Sequence, residues 1–286
     1  MAVLLAAISA LAYGAGDFLG GLSARRMPAP LAAAGAQFTG LVLLVGVAAL
    51  VGGSPGRTDW LWGMAAGVCV AVAVVSFYWA MAAGQMSVVA PVSALTAGLV
   101  PLVAGLVSGE RPGPLSLAGA VLALGAIVLI SREPRDPVAD DERSAPPPPG
   151  RRFRVLGSAL LSGLGFGGFL VLVSHTADGS GLWPLAGARA TAVLLVGALS
   201  LVRRAGRPSC DGLRLAVGAG TFEALANSVF LVASRQGLLT LVGVIGSMYP
   251  ASTVVLARVV LRERLAPHQW AGLALAVVAV VAVAVG

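Results

Sequence analysis

Apolar residues fall in long blocks along this chain, separated by short gaps rich in Gly, Pro and Arg. A helix needs about 20 apolar residues to cross roughly 30 Å of hydrocarbon. Reading the blocks between their breaks predicts ten helices, over residues 2–22, 30–52, 60–83, 86–108, 115–131, 154–175, 182–202, 213–234, 238–260 and 268–285. The fifth is the shortest. Strict apolar–polar alternation, the mark of a membrane barrel, is missing. Backbone in lipid must satisfy its own hydrogen bonds, so helices are the expected form. The first block, with Ala10-Leu11-Ala12 near its middle, could pass for a signal peptide. It lacks a basic start and runs on through Tyr13 to Asp17, so it is read as a retained span.

Composition narrows the class. Of 286 residues, 58% are hydrophobic and 11% charged, where a soluble domain carries about 25% charge. Too little polar surface remains to wet a globule, which excludes a soluble enzyme. The net charge is +7, from 19 Arg, no Lys and 12 acids. Most of these Arg lie in gaps between apolar blocks, so they read as topology signals and not as a nucleic-acid surface. Without Lys there is no Walker A loop, and ATP hydrolysis is excluded with it. Cys69 and Cys210 stand apart, as do His175 and His268, so neither a disulfide framework nor a metal cluster is expected. No cofactor is expected either.

One gap is longer than the rest. Ser131 to Arg154 holds five acids, six arginines and Pro146-Pro147-Pro148-Pro149, a composition that buries no core. It divides the chain into a first half, 1–131, a linker, 132–153, and a second half, 154–286. The halves resemble each other at a shift of 153 residues. Gly84, Glu110, Arg111, Pro114 and Gly119 fall on Gly237, Glu263, Arg264, Pro267 and Gly272; Ser9, Leu11 and Gly14 fall on Ser162, Leu164 and Gly167. At a shift of 152, Ala34 to Thr39 falls on Ala186 to Thr191, with Gln37 on Arg189. Five helices per half is an odd number, so the second half enters the membrane from the opposite side. Such inverted repeats mark secondary transporters, with the substrate site near the midplane between repeats. Duplication that merely built a larger bundle is the alternative.

These residues carry a resemblance. Gly84 to Ile130, with Gly109-Glu110-Arg111 between two helices, resembles the end of an EamA domain; Gly237 to Val285, with Tyr249-Pro250 and Arg262-Glu263-Arg264, resembles its second copy. The layout is similar to that of the drug/metabolite transporter superfamily. The resemblance implies a small-metabolite carrier, often an exporter, with a central cavity between two five-helix halves. One departure stands out: Pro250 has Ala97 at its repeat equivalent, with Pro101 four residues later. The two halves are therefore expected to bend at different depths.

Charges inside spans are costly and make default functional candidates. Asp17 shares a helix face with Tyr13 among glycines. It reads as a carboxylate for a proton or a substrate amine, or as an interfacial residue reaching Arg25. Glu223 and Asn227 are four apart, with Phe230 on the same stripe; Glu223 is a coupling candidate or the partner of Arg189 or Arg258. Arg189 offers a planar fork for a substrate carboxylate or phosphate, or it snorkels. Arg258 reads as a snorkelling anchor. Tyr249, beside a helix-breaking Pro, is the best aromatic candidate, ahead of Phe77, Tyr78 and Trp79. Ser76 sits among those three aromatics. Ser93, Thr96 and Ser247 line a cavity or bond back to their own helices. His175, Glu110-Arg111 and Arg262-Glu263-Arg264 read as interfacial.

The reading is an all-α integral membrane protein of ten helices in two inverted five-helix repeats, multi-pass in the inner or plasma membrane. It would act as a secondary transporter of small metabolites by alternating access, with export implied by the resemblance. Asp17, Glu223 and Asn227 are expected to serve coupling or binding, and Arg189 and Tyr249 to orient the substrate. Its partners would be membrane lipid, a small metabolite and, if coupled, protons, with a homo-oligomer left open. An uncoupled exchanger, an intramembrane enzyme and a scaffold are the alternatives. Fourteen Arg lie in loops 1–2, 5–6, 7–8 and 9–10, against three in loops 2–3, 4–5 and 8–9. By the positive-inside rule the linker is then cytoplasmic, with both termini outside; the resemblance implies termini inside.

Overall fold

The computed structural model describes residues 1–83, 86–131, 149–202, 206–260 and 265–286, without the side chains of 78–79, 81–91, 149–152 and 257. The linker from 132 to 148, Gly84 and Arg262-Glu263-Arg264 thus lie outside the described residues. All regular structure within them is helical: α1 (Ala2–Ala24), α2 (Ala29–Val51), α3 (Arg57–Ala83), α4 (Met86–Val107), α5 (Pro114–Ile130), α6 (Pro149–Ser174), α7 (Trp183–Val202), α8 (Cys210–Ser234), α9 (Leu239–Gly246), α10 (Tyr249–Val260) and α11 (Pro267–Val285). A single 3-10 turn, Asp178–Ser180, precedes α7. Several helices open on proline, where the missing N–H is not needed: Pro114 in α5 and Pro267 in α11.

Eight spans among the described residues are long and apolar enough to cross a membrane, α9 and α10 counting as one. Two further apolar stretches, Val92–Val107 and Pro114–Ile130, are shorter. The protein is a multi-pass integral membrane protein. Its outer faces carry Leu50, Leu194, Leu201 and Val277, each more than half exposed, as lipid contact requires. The segment expected as one helix over 238–260 is broken. Pro250 has no N–H to continue the ladder, and the turn tightens at Ser247 and Met248, where Met248 N donates to Ile245 O at 3.0 Å. In contrast, α4 runs through Pro101 unbroken.

Helices of the first half pack on helices of the second: α1 on α8, α3 on α6, α5 on α11, α2 on α7, with α4 on α6 and α10 on α1. Between α1 and α8, Ser23 Oγ donates to Gly212 O at 2.8 Å and Ser9 Oγ to Ala226 O at 2.9 Å. These contacts lie 14 residues apart on each helix, so the two run antiparallel in one register. Small residues permit such closeness. A Cβ on Gly67 would lie 2.3 Å from Ala188 O and 2.7 Å from Thr191 Cβ; one on Gly220 would lie 2.3 Å from Ala36 O and 2.8 Å from Thr39 Cβ.

The two ends differ. At the linker end, loops after α1 and before α8 meet through Ser209 Oγ, which donates to Arg26 O at 2.9 Å, and an exposed Arg26–Asp211 pair at 3.7 Å. At the far end the halves interlock. Buried Asp59 accepts from Gly56 N and Ala177 N, both at 2.8 Å, and Ser54 N donates to Gly179 O at 2.9 Å. Gly53, with φ +126°, is required there: a Cβ would sit 2.8 Å from Ser180 O. Arg235 Nη2 donates to Ala177 O at 2.8 Å and Ser180 Oγ at 3.0 Å. Burial lowers the Arg235 pKa, and the Asp178 and Asp59 charges oppose that shift. Glu110 spans the halves, accepting from Leu239 N and Thr240 N at 2.7 Å and Thr240 Oγ1 at 2.5 Å. It caps α9 and is more than a loop charge.

Candidate functional site

Polar side chains from four helices meet in the middle of the bundle. On α1, the Tyr13 hydroxyl donates to Asn227 Oδ1 on α8. One turn earlier on α8, Glu223 Oε2 accepts from Arg189 Nη1 of α7 at 2.7 Å. The same Nη1 donates to Gln37 Oε1 of α2. Arg189 and Gln37 are buried at 5% and 4% exposure. Gly40, one turn along from Gln37, makes room for the guanidinium: a Cβ there would lie 3.3 Å from Arg189 Nε. The Glu223 stem lies across Gly16, where a Cβ would come within 3.0 Å of its Cγ. The site is a hydrogen-bonded ion pair whose arginine also donates to the neutral Gln37 amide. Both charges gain from pairing in low dielectric, where either alone costs several kcal/mol.

Asp17 stands apart from that network. It is exposed in the middle of a span, and among the described residues its carboxyl has neither hydrogen-bond nor ion-pair partner. Glu223 and the Tyr249 phenol are its neighbours. Helix geometry says where it points. At about 100° per residue, Asp17 lies between Tyr13, which faces α8, and Gly14, which faces α10. A Cβ on Gly14 would lie 2.5 Å from Tyr249 O, and Thr253 Oγ1 donates to Gly14 O at 3.2 Å. Asp17 therefore faces the wedge between α8 and α10, away from lipid. Seven residues beyond Gly14, about 10 Å along the axis, Gly21 is exposed, and a Cβ there would meet no described atom within 4 Å. No described residue closes this side of α1 at Gly21, so the wedge is read as a cleft towards the linker end, beside half-buried Tyr13 and Tyr249.

The structure thus brings together Asp17, Glu223, Asn227, Arg189 and Tyr249. Arg189 is the partner of Glu223, one of the pairings its position left open, and it does not snorkel. Gln37, visible in the sequence only as the repeat equivalent of Arg189, belongs to the site. Phe230 is in the core at 0% exposure. The hydroxyls of Thr96 and Ser247 bond back to Val92 O at 2.7 Å and Gly243 O at 2.8 Å, while Ser93 donates to Ser162 Oγ at 3.0 Å. Exposed Arg258 makes an interaction of its own near the end of α10. His175 is exposed at the far end, 5.2 Å from the Trp62 ring. The side chains of Tyr78 and Trp79 lie outside the described residues. Among the described residues no group of three His, Cys, Asp or Glu is placed to hold a metal.

A crystal structure of another protein matches 98% of this chain and 95% of its own, with a TM-score of 0.80 and 16% identity, a likeness that carries the fold alone. No curated protein matches the sequence. The EamA-like transporter family matches residues 1–132 and again 153–285. With nearly the whole chain covered by those two matches, the protein belongs to the EamA-like transporter family.

Proposed function

We propose that the protein is a secondary carrier of small metabolites that works by alternating access around the Asp17–Glu223–Arg189 site. The observation that carries this is the exposed mid-span carboxylate of Asp17 at the blind end of a cleft. Such a residue is costly unless water and a ligand reach it. The family assignment favours transport over an intramembrane enzyme or scaffold.

Ten spans in two inverted repeats fit the packing. Gln37 meets its own repeat equivalent, Arg189, as only residues near a two-fold axis do. Gly67 on Ala188 and Thr191 mirrors Gly220 on Ala36 and Thr39. In this reading the far-end latch of Asp59, Arg235 and Glu110 is a closed gate, and the α1–α10 cleft is the open one. Repeat-related gates that exchange these roles would carry substrate across. The Arg distribution favours a cytoplasmic linker end, so the cleft would load from the cytoplasm and release outside, which is export. A carboxylate that alternates between proton and substrate would supply the coupling.

Flux of a mixed metabolite pool in proteoliposomes, with and without an imposed pH gradient, tests this in wild type, Asp17→Asn and Glu223→Gln. Gradient-driven flux lost in Asp17→Asn is expected. Flux indifferent to the gradient leaves an exchanger or facilitator, and no flux of any pool member ends the transport reading.

A further inference from the structure

We infer that the cleft selects substrates bearing a single positive charge, an amine or quaternary ammonium group that pairs with Asp17; this rests on the transport reading of the same site.

Three observations carry it. First, the charges inside the site do not balance. Arg189 neutralises Glu223, at 2.7 Å, and Asp17 is left over. A substrate with one positive charge brings the sum to zero, whereas an anion would add a second uncompensated charge in low dielectric. Second, two acceptors face the cleft beside the Tyr249 hydroxyl, which can itself donate or accept. Asp17 is acceptor-only when ionised, and the Tyr13 proton is committed to Asn227, which leaves the phenol oxygen lone pairs. The site's one guanidinium has 6% of its side chain exposed and one nitrogen committed to both Gln37 and Glu223, so it is poorly placed to greet an incoming carboxylate or phosphate. Third, Tyr13 and Tyr249 flank the carboxylate, and phenol faces attract ammonium groups once water is displaced. Arg258, further along α10, has an interaction of its own and faces away from α1. It lies five residues beyond Thr253, which faces Gly14, and so about 140° round the helix from α1.

The test is calorimetric binding to the purified protein in detergent. The probes are primary amines and quaternary ammoniums of graded size, each beside the alcohol and the carboxylate of the same skeleton. Expected are binding by amines or ammoniums alone, weakened on the order of tenfold or more by Asp17→Asn and retained by Asp17→Glu. Monodisperse elution and an unchanged Tm for Asp17→Asn would show that the loss is not unfolding. The inference falls if no cation binds, if a carboxylate or alcohol binds as tightly, or if Asp17→Asn leaves cation affinity untouched. The metabolite-pool flux separates the two readings. Flux of neutral or anionic compounds alone keeps the carrier and overturns the cation. Asp17-dependent cation binding without any flux keeps the cation site and ends the carrier.

Discussion

Two helix pairs in this protein are built alike and furnished differently. α1 lies on α8, and α3 lies on α6, each pair joining one half of the chain to the other. At a shift of 153 residues, Tyr13, Asp17, Glu223 and Asn227 of the first pair correspond to Phe166, Leu170, Val70 and Val74 of the second. Four polar groups thus stand where the other seam has four apolar ones. The apolar seam is packed: Leu170 and Val70 are 6% and 8% exposed and belong to the central core. In the polar seam Asp17 is exposed. The difference teaches where stability and function are divided. Seam α3–α6 supplies the apolar packing on which the frame rests. Seam α1–α8 gives up part of that packing to hold an exposed carboxylate inside a span, the one on which the proposed transport rests.

Exchanging one residue between the seams has the largest expected effect. Leu170→Asp puts an unpaired carboxylate into the closed seam, which costs about 3 kcal/mol from charge burial before lost packing is counted. Thermal unfolding in detergent should show a large fall in Tm or no folded protein. The reverse exchange, Asp17→Leu, is expected to keep or raise Tm while abolishing flux. If Leu170→Asp were as stable as wild type, the apolar seam would not be packed as described.

A smaller loss is expected within the polar seam. Arg189→Ala leaves Glu223 and Gln37 without their shared donor. Breaking a fully buried pair costs about 3–5 kcal/mol; because Glu223 keeps 20% exposure, about 2 kcal/mol is expected here. Adding Glu223→Gln to Arg189→Ala removes the orphaned charge and should recover roughly half of that loss, a coupling that denaturant titration of the four-member cycle would read. Glu110→Gln should cost less again, about 1 kcal/mol, as the loss of a charged helix cap does. It acts at the far-end latch, away from Asp17, so cation binding in the calorimeter should change by no more than the few-fold that a shift between the two gates produces.

Much of this frame was legible in the sequence, because the membrane imposes a crude and strong pattern. Apolar blocks located each helix to within a few residues, and Tyr13–Asp17 and Glu223–Asn227 were found by their four-residue spacing. What escaped was whatever depends on which helix faces which. The break at Ser247–Met248 follows from Pro250, yet Pro101 leaves α4 unbroken, and the two prolines look alike in sequence. Nothing in one dimension says that Gln37 reaches Arg189, or that Glu110 reaches across 129 residues to cap α9. No spacing or motif singles out Asp59, which accepts from Ala177 N in the other half of the chain. Spacing identifies residues that share a face, and only tertiary packing says what that face meets.

The gentlest probe leaves stability untouched and asks whether the two seams are open to different degrees. Gly21 and Ser174 are repeat equivalents at a shift of 153. Gly21 is exposed, and a Cβ there would meet no described atom within 4 Å; Ser174 is half-buried at the end of α6, its hydroxyl bonded to Val171 O at 2.8 Å. In a background with Cys69→Ala and Cys210→Ser, Gly21→Cys should react with a small membrane-impermeant maleimide on the order of ten times faster than Ser174→Cys, the ratio that a gate biased by about 1.4 kcal/mol produces. A bound cation should slow the first reaction by occupying the cleft. Adding Glu110→Gln loosens the far-end latch and should speed the second, since whatever weakens a closed gate raises the population of its open form. Equal rates at both positions in wild type would mean that the seams differ in chemistry but not in access, and alternation between them would lose its structural basis.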